Sequence, residues 1–170
     1  MRAVFFDRDG TLGTLGDDRY PYTFKPFDDM PKVVSELHDA GLLCMIYTNQ
    51  SCIARGLDGG YDFDAEFEAA GFDDWFICPH DHGDNCDCRK PKAGLLIAAA
   101  QKHGLRLSEC FAVGDRLTDI EAGNAAGCTT ILVRTGRGKA EENSSEDVIP
   151  DFTADNLTET CSCILTNIAF

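Results

Sequence analysis

Short apolar runs recur along this chain at residues 3–6, 42–47, 75–78, 110–113 and 129–133. They are continuous rather than alternating with polar residues, which predicts strands covered on both faces. Between most of them lie segments with helical spacing of apolar positions, at 30–40, 63–70, 93–103 and 117–126. Strands and helices alternating in this way predict an α/β fold, a doubly wound three-layer arrangement about a parallel sheet. Gly41, Gly104 and Gly127 stand where helices should stop, and Asp28-Asp29-Met30-Pro31 predicts a capping acid followed by a first-turn proline. Asp151-Phe152 predicts a last short strand, 156–165 a closing helix, and the polar stretch 136–145 a surface loop. With no internal repeat or low-complexity linker, one domain over 1–170 is expected.

In such a sheet ligands gather at the carboxyl ends of the strands. Asp7 and Asp9 leave the first strand, Thr48-Asn49-Gln50 the second and Asp115 another. Residues i and i+2 of a strand share a face, so Asp7 and Asp9 can point into one site, with Gly10 permitting a sharp exit. Carboxylates this close repel unless a cation or a shared proton relieves them. Two solvated aspartates in a turn would look the same locally; the convergence of three strand ends favours a site. It suits a magnesium-assisted reaction in which one aspartate attacks and the other moves a proton. Thr48 and the backbone N–H groups after it either cup a tetrahedral anion or cap a helix. Lys90, just before the third helical segment, can neutralise a phosphate. Asp115 fits a magnesium ligand. Asp119 binds the metal's waters, braces Lys90 or serves as a helix-start acid.

Composition narrows the partners. The 170 residues include 29 acidic and 15 basic side chains, a formal net charge of −14, with 44% hydrophobic content. That balance argues against nucleic acid and anionic lipid, so a small phosphorylated metabolite would be drawn in locally by a metal and a few placed cations. The absence of a signal-like or membrane-length apolar stretch makes a soluble, cytoplasmic protein the expectation; a monomer is expected. Nine cysteines, an odd number, speak against a disulfide framework. Cys44, Cys110 and Cys128 read as small buried residues. Cys78, His80, Cys86 and Cys88 give Cys-x-His-x₅-Cys-x-Cys, four sulfur and imidazole groups suited to a closed, structural Zn²⁺ site in a loop at 78–88, with His82 as a substitute ligand.

Asp7-x-Asp9-Gly10-Thr11, Thr48-Asn49, Lys90-Pro91 and Gly114-Asp115 with Asp119 together resemble the haloacid dehalogenase (HAD) superfamily of phosphatases over nearly the whole chain. The resemblance implies a Rossmann-like HAD core and an aspartyl-phosphate route. Asp7 is the implied nucleophile and Asp9 the implied acid and base. Mg²⁺ would be held by Asp7, the Asp9 backbone carbonyl and Asp115, and the phosphoryl oxygens by Thr48, Asn49 and Lys90. Cys78-Pro79-His80 and Cys86-x-Cys88-Arg89-Lys90-Pro91, with Ser51-Cys52-Ile53-Ala54-Arg55-Gly56, resemble the histidinol-phosphate and D,D-heptose bisphosphate phosphatase branch. There the zinc-bound loop would carry Arg89 and Lys90 to substrate. Cys52 stands where that branch has glycine, and both the 56–78 span and the zinc loop are shorter than its norm. No insertion is large enough for a cap domain, so the site should be open. Arg8, Arg55, Arg89 and Arg116 are candidates for a second anionic group or a hydroxyl-rich tail. The resemblance thus implies a Mg-dependent phosphomonoester hydrolase of carbohydrate metabolism, acting on a small sugar phosphate such as D,D-heptose bisphosphate. The alternatives are a histidinol-phosphate phosphatase and, in a different class, a catalytically silent zinc-stabilised interaction module.

Overall fold

In the computed structural model, which describes residues 1–17 and 20–168, six parallel strands form one sheet in the order β3-β2-β1-β4-β5-β6. They are β1 Ala3–Phe6, β2 Leu43–Asn49, β3 Asp74–Cys78, β4 Phe111–Gly114, β5 Thr129–Val133 and β6 Phe152–Ala154. The helices are α1 Met30–Asp39, α2 Phe63–Ala69, α3 Gly94–His103, α4 Leu117–Ala126, α5 Gly138–Glu141 and α6 Leu157–Ile168. The unbroken apolar runs have their predicted cause. Val4 and Phe6 of β1 point into a core shared with α1, α2 and α6, while Ala3 and Phe5 point into a second core with α3. Both faces are dry, so neither can alternate. Among the described residues no helix is long and apolar enough to cross a membrane.

Helix ends follow local chemistry. Gly104 and Gly127 cap α3 and α4 in the left-handed conformation, with φ of 64° and 80°. The expected cap at α1 differs: Asp29 occupies the N-cap position but its side chain makes no cap hydrogen bond. Its Oδ2 instead accepts from the Thr158 hydroxyl of α6 at 2.8 Å, so a tertiary contact displaced the local one. The stretch 136–145 is more than a loop. It contains α5, whose Glu141 Oε2 accepts from the Leu117 amide at 2.6 Å at the start of α4.

The strand order determines where a ligand can sit. The chain runs outward from β1 through β2 to β3, then returns to place β4 on the other side of β1. The crevice at this reversal lies beyond the carboxyl ends of β1 and β4. Asp7 and Asp115 flank it, and the Asp7 amide donates to Val113 O at 3.0 Å.

Candidate active site

A cavity of about 230 Å³ opens over the reversal, and Asp7, Asp9, Asn49, Gln50, Lys90 and Asp119 line it. Its floor is a buried cluster of opposite charges. Lys90, 5% exposed, places Nζ 2.8 Å from Asp7 Oδ1 and 2.6 Å from Asp119 Oδ1. Nζ also donates to Tyr47 O at 2.9 Å and lies 4.3 Å from the centre of the Tyr47 ring. Asn49 anchors the lysine's backbone: Lys90 N donates to Asn49 Oδ1 at 3.1 Å, and Asn49 Nδ2 donates to Lys90 O at 3.2 Å. Burial alone would pull the Lys90 ammonium down, but Asp119 and Asp7 outweigh it and hold the group charged.

Asp115 is fully buried. The Thr11 hydroxyl reaches its Oδ1 at 3.3 Å, and the Arg137 amide donates to its Oδ2 at 2.8 Å. Thr135 Oγ1 donates to Gly10 O at 2.7 Å, so the segment after β5 closes over both Asp115 and the turn after β1. Burial, then repulsion from Asp7 and Asp119, pushes the Asp115 carboxyl up to about 8. One carboxylate oxygen from each of Asp7, Asp115 and Asp119 lies within 4.8 Å of the others. Opposite and adjacent oxygens of an octahedral magnesium shell are ~4.2 and ~3 Å apart, so this donor set fits such an ion.

Asp9 is held by a separate set of donors. Gln50 Nε2 donates to its Oδ2 at 2.6 Å and Arg8 Nη1 to its Oδ1 at 2.8 Å. Burial, opposed by Arg8 and aided by Asp7, raises the Asp9 carboxyl to about 6. Such a group can both hold and release a proton near neutrality.

Next to this cavity the loop after β3 gathers Cys78, His80, Cys86 and Cys88, whose ligand atoms all lie within 4.8 Å of one another. Cys78 Sγ is 3.7 Å from Cys86 Sγ and 3.6 Å from His80 Nδ1. The edges of a tetrahedron around zinc are ~3.8 Å between sulfurs and ~3.6 Å from sulfur to nitrogen. A disulfide needs ~2.05 Å, and all nine cysteines are free. His82 lies outside the group; its ring sits 3.0 Å from Arg89 Nη2, while Arg89 Nη1 donates to His80 O at 3.0 Å. The loop thus holds Arg89 at the cavity wall.

Residues 87–160 match the family model described as HAD-hydrolase-like. The D-glycero-beta-D-manno-heptose-1,7-bisphosphate 7-phosphatase of Haemophilus ducreyi is 34% identical over 178 residues, covering 88% of this chain and 97% of that protein. The protein of the same name from Pseudomonas aeruginosa is 37% identical over 151 residues, covering 79% and 82%. The chain belongs to the HAD superfamily of phosphatases. Among solved structures, the D,D-heptose 1,7-bisphosphate phosphatase of B. bronchiseptica, complexed with magnesium and phosphate, superposes with a TM-score of 0.87. It is 28% identical, and the match covers 98% of this chain and 99% of that one.

Against that HAD framework, the sequence-predicted residues Asp7, Asp9, Asn49, Arg55, Arg89, Lys90 and Asp119 all line one cavity. Thr48 is buried beneath it and accepts from Gln50 Nε2 at 3.0 Å; the chain after it makes successive turns at 51–56 rather than a helix to be capped. Asp119 combines two of its predicted roles, since Oδ1 meets Lys90 and Oδ2 accepts from the Arg116 amide at 3.0 Å. Arg8 does not face the ligand space. It is fully buried against Glu66 and the Phe24 ring, which removes it from the candidates for a second anion. Cys52 is buried with its thiol 3.7 Å from Gln50 Oε1.

Gln50, named with Thr48 and Asn49 at the end of the second strand but given no role there, meets Asp9. Two contributors escaped sequence reading, Glu66 and the segment 135–137; neither had a signal, Glu66 being 58 residues from Arg8 and Arg137 being 22 from Asp115.

Proposed function

We propose that this chain is a magnesium-dependent phosphomonoester hydrolase whose substrate is a small sugar bisphosphate of the D-glycero-D-manno-heptose 1,7-bisphosphate type. The observation that carries the reading is the Lys90 ammonium held between Asp7 and Asp119, beside a separately held Asp9. In the proposed reaction an Asp7 carboxylate oxygen attacks phosphorus, and the bond from phosphorus to the sugar oxygen breaks. Asp9 gives its proton to that leaving oxygen. Water then attacks the aspartyl phosphate, Asp9 takes its proton, and the bond from Asp7 to phosphorus breaks to release phosphate. Lys90 and Asn49 orient the phosphoryl oxygens, with Thr48 and Gln50 supporting them from below.

Asp7, Asp115 and the Asp9 backbone carbonyl would hold Mg²⁺, with Asp119 behind them. When bound, the ion supplies positive charge to the phosphoryl group and offsets the burial and the repulsion that raise Asp115. Cys78, His80, Cys86 and Cys88 would hold a structural Zn²⁺ that stiffens the loop bearing Arg89 and Lys90. Arg55 and Arg89 at the cavity wall would meet the second phosphate or the sugar. One domain, a monomer, would serve as the working unit. Nine free thiols suit a reducing, cytoplasmic setting.

The test is phosphate release from heptose bisphosphate, histidinol phosphate and other sugar phosphates with Mg²⁺ present, against Asp7→Asn. Release by the native protein and none by the variant is the expected result. Equal inertness of the two on every substrate would refute the reading.

A further inference from the structure

Arg8 follows the proposed nucleophile in sequence, yet among the described residues it is the largest fully buried side chain. Nε and Nη2 donate to the two Glu66 oxygens at 2.8 and 2.7 Å, a bidentate fork. Nη2 also reaches Pro21 O at 2.9 Å, and the Phe24 ring lies 4.0 Å from the guanidinium carbon. Tyr61 OH donates to Glu66 Oε2 at 2.6 Å. That leaves Nη1, which donates to Asp9 Oδ1 at 2.8 Å. Arg8 therefore has its plane set by α2 and the segment before it, and one remaining donor aimed at the carboxylate read here as acid and base. With Gln50 on Oδ2, both Asp9 oxygens are held by buried donors.

We propose that Tyr61, Glu66 and Arg8 form a positioning chain that fixes the Asp9 carboxylate for proton transfer to the leaving oxygen. This rests on the reading of Asp9 given above. Asp9 is partly exposed, with 29% of its side chain open to solvent, so its orientation is not imposed by packing alone. The chain runs through the 56–78 span and couples the precision of proton transfer to α2, which contributes none of the residues that line the active-site cavity. Glu66 and Tyr61 are positioning residues: they act through Arg8.

A role in positioning the acid has a signature that a purely structural role lacks. A sugar alkoxide leaves only when protonated, whereas p-nitrophenolate leaves unaided. Values of kcat/KM are measured on a sugar phosphate and on p-nitrophenyl phosphate for native protein, Glu66→Gln, Tyr61→Phe and Asp9→Asn. Glu66→Gln is expected to lose about 10- to 100-fold on the sugar phosphate and less than about 3-fold on the aryl ester. Tyr61→Phe should show the same selectivity at smaller amplitude. Rapid mixing of Glu66→Gln with the aryl ester should also give a burst of p-nitrophenolate, because Asp9 misplaced as base delays the second step. Equal losses on both esters, or no loss on either, would overturn the proposal. Should Glu66→Gln fail to fold, Tyr61→Phe decides by the same criterion. Asp9→Asn separates the two levels: if it too is indifferent to the leaving group, the reading of Asp9 fails rather than the positioning chain.

Discussion

Lys90→Met replaces the ammonium held between Asp7 and Asp119 with an apolar chain of nearly the same length. At an effective dielectric of ~20, the contacts at 2.8 and 2.6 Å are each worth about 6 kcal/mol before desolvation. Removing one partner of a buried pair typically costs about 3–5 kcal/mol, because the remaining charge is stranded. Protonation limits that cost. Asp119, already pushed up to about 6 by burial with Lys90 opposing, would take the proton, and bringing it to the neutral form at pH 7 takes only about 1.4 kcal/mol, at ~1.4 kcal/mol per pH unit. Loss of the Lys90 contact to Asp7 adds to this, so we expect a loss of about 2–3 kcal/mol at pH 7 in magnesium-free buffer, read by urea denaturation. The sign of the pH dependence follows from linkage. The folded variant binds more protons than the unfolded chain, so its stability rises as pH falls. Asp119 in the native protein does this only below about 6, and the variant should do so from higher pH. The gap should thus narrow by about 1–2 kcal/mol between pH 7 and pH 5, one extra pH unit of titration. A loss under ~1 kcal/mol at pH 7, or a gap that does not change with pH, would refute the reasoning.

Gly136→Ala should impair the acidic cluster without touching its residues. Gly136 has φ of 51°, and a Cβ there would overlap Asp115 Oδ2 and the Gly10 backbone. The expected result is a higher magnesium requirement for phosphate release. Cys88→Ser should lower zinc content measured by metal analysis and reduce the melting temperature by several degrees; full zinc with unchanged melting would count against the four-residue set. Asp74→Asn should flatten the acid limb of stability. Burial opposes ionisation of Asp74, but Lys102 at 2.7 Å and His103 at 2.5 Å outweigh it and hold its carboxyl below the usual range. Its contribution is present above pH ~4 and is lost as pH falls through the lowered value, so native protein and variant should converge in strong acid.

The five main strands were legible because a sheet buried on both faces writes itself as continuous apolar runs, and Gly104 and Gly127 because left-handed caps favour glycine. Asp7, Asp9, Lys90 and Asp115 were legible because each follows a strand or precedes a helix at one edge. Arg8 was not. A charged residue between two site aspartates looks solvent-facing in sequence, and the bidentate partner that helps make its burial tolerable, Glu66, lies 58 residues on. The 136–145 stretch hid its role similarly, since its value lies in backbone groups, such as the Arg137 amide, whose targets no side-chain pattern announces.

The arginines at the cavity wall sit in a protein of net charge −14. At low ionic strength, where the Debye length is ~30 Å, a distant phosphate ester experiences mainly the overall negative field, and only close in does the rim attract it. Long polyanions must cross more of that field than a small ester does, so the surface acts as a size filter in front of the chemistry. Encounter with a small bisphosphate is then limited by repulsion that salt screens. Its capture should quicken as ionic strength rises from very low values, the reverse of what a uniformly basic phosphate binder would show.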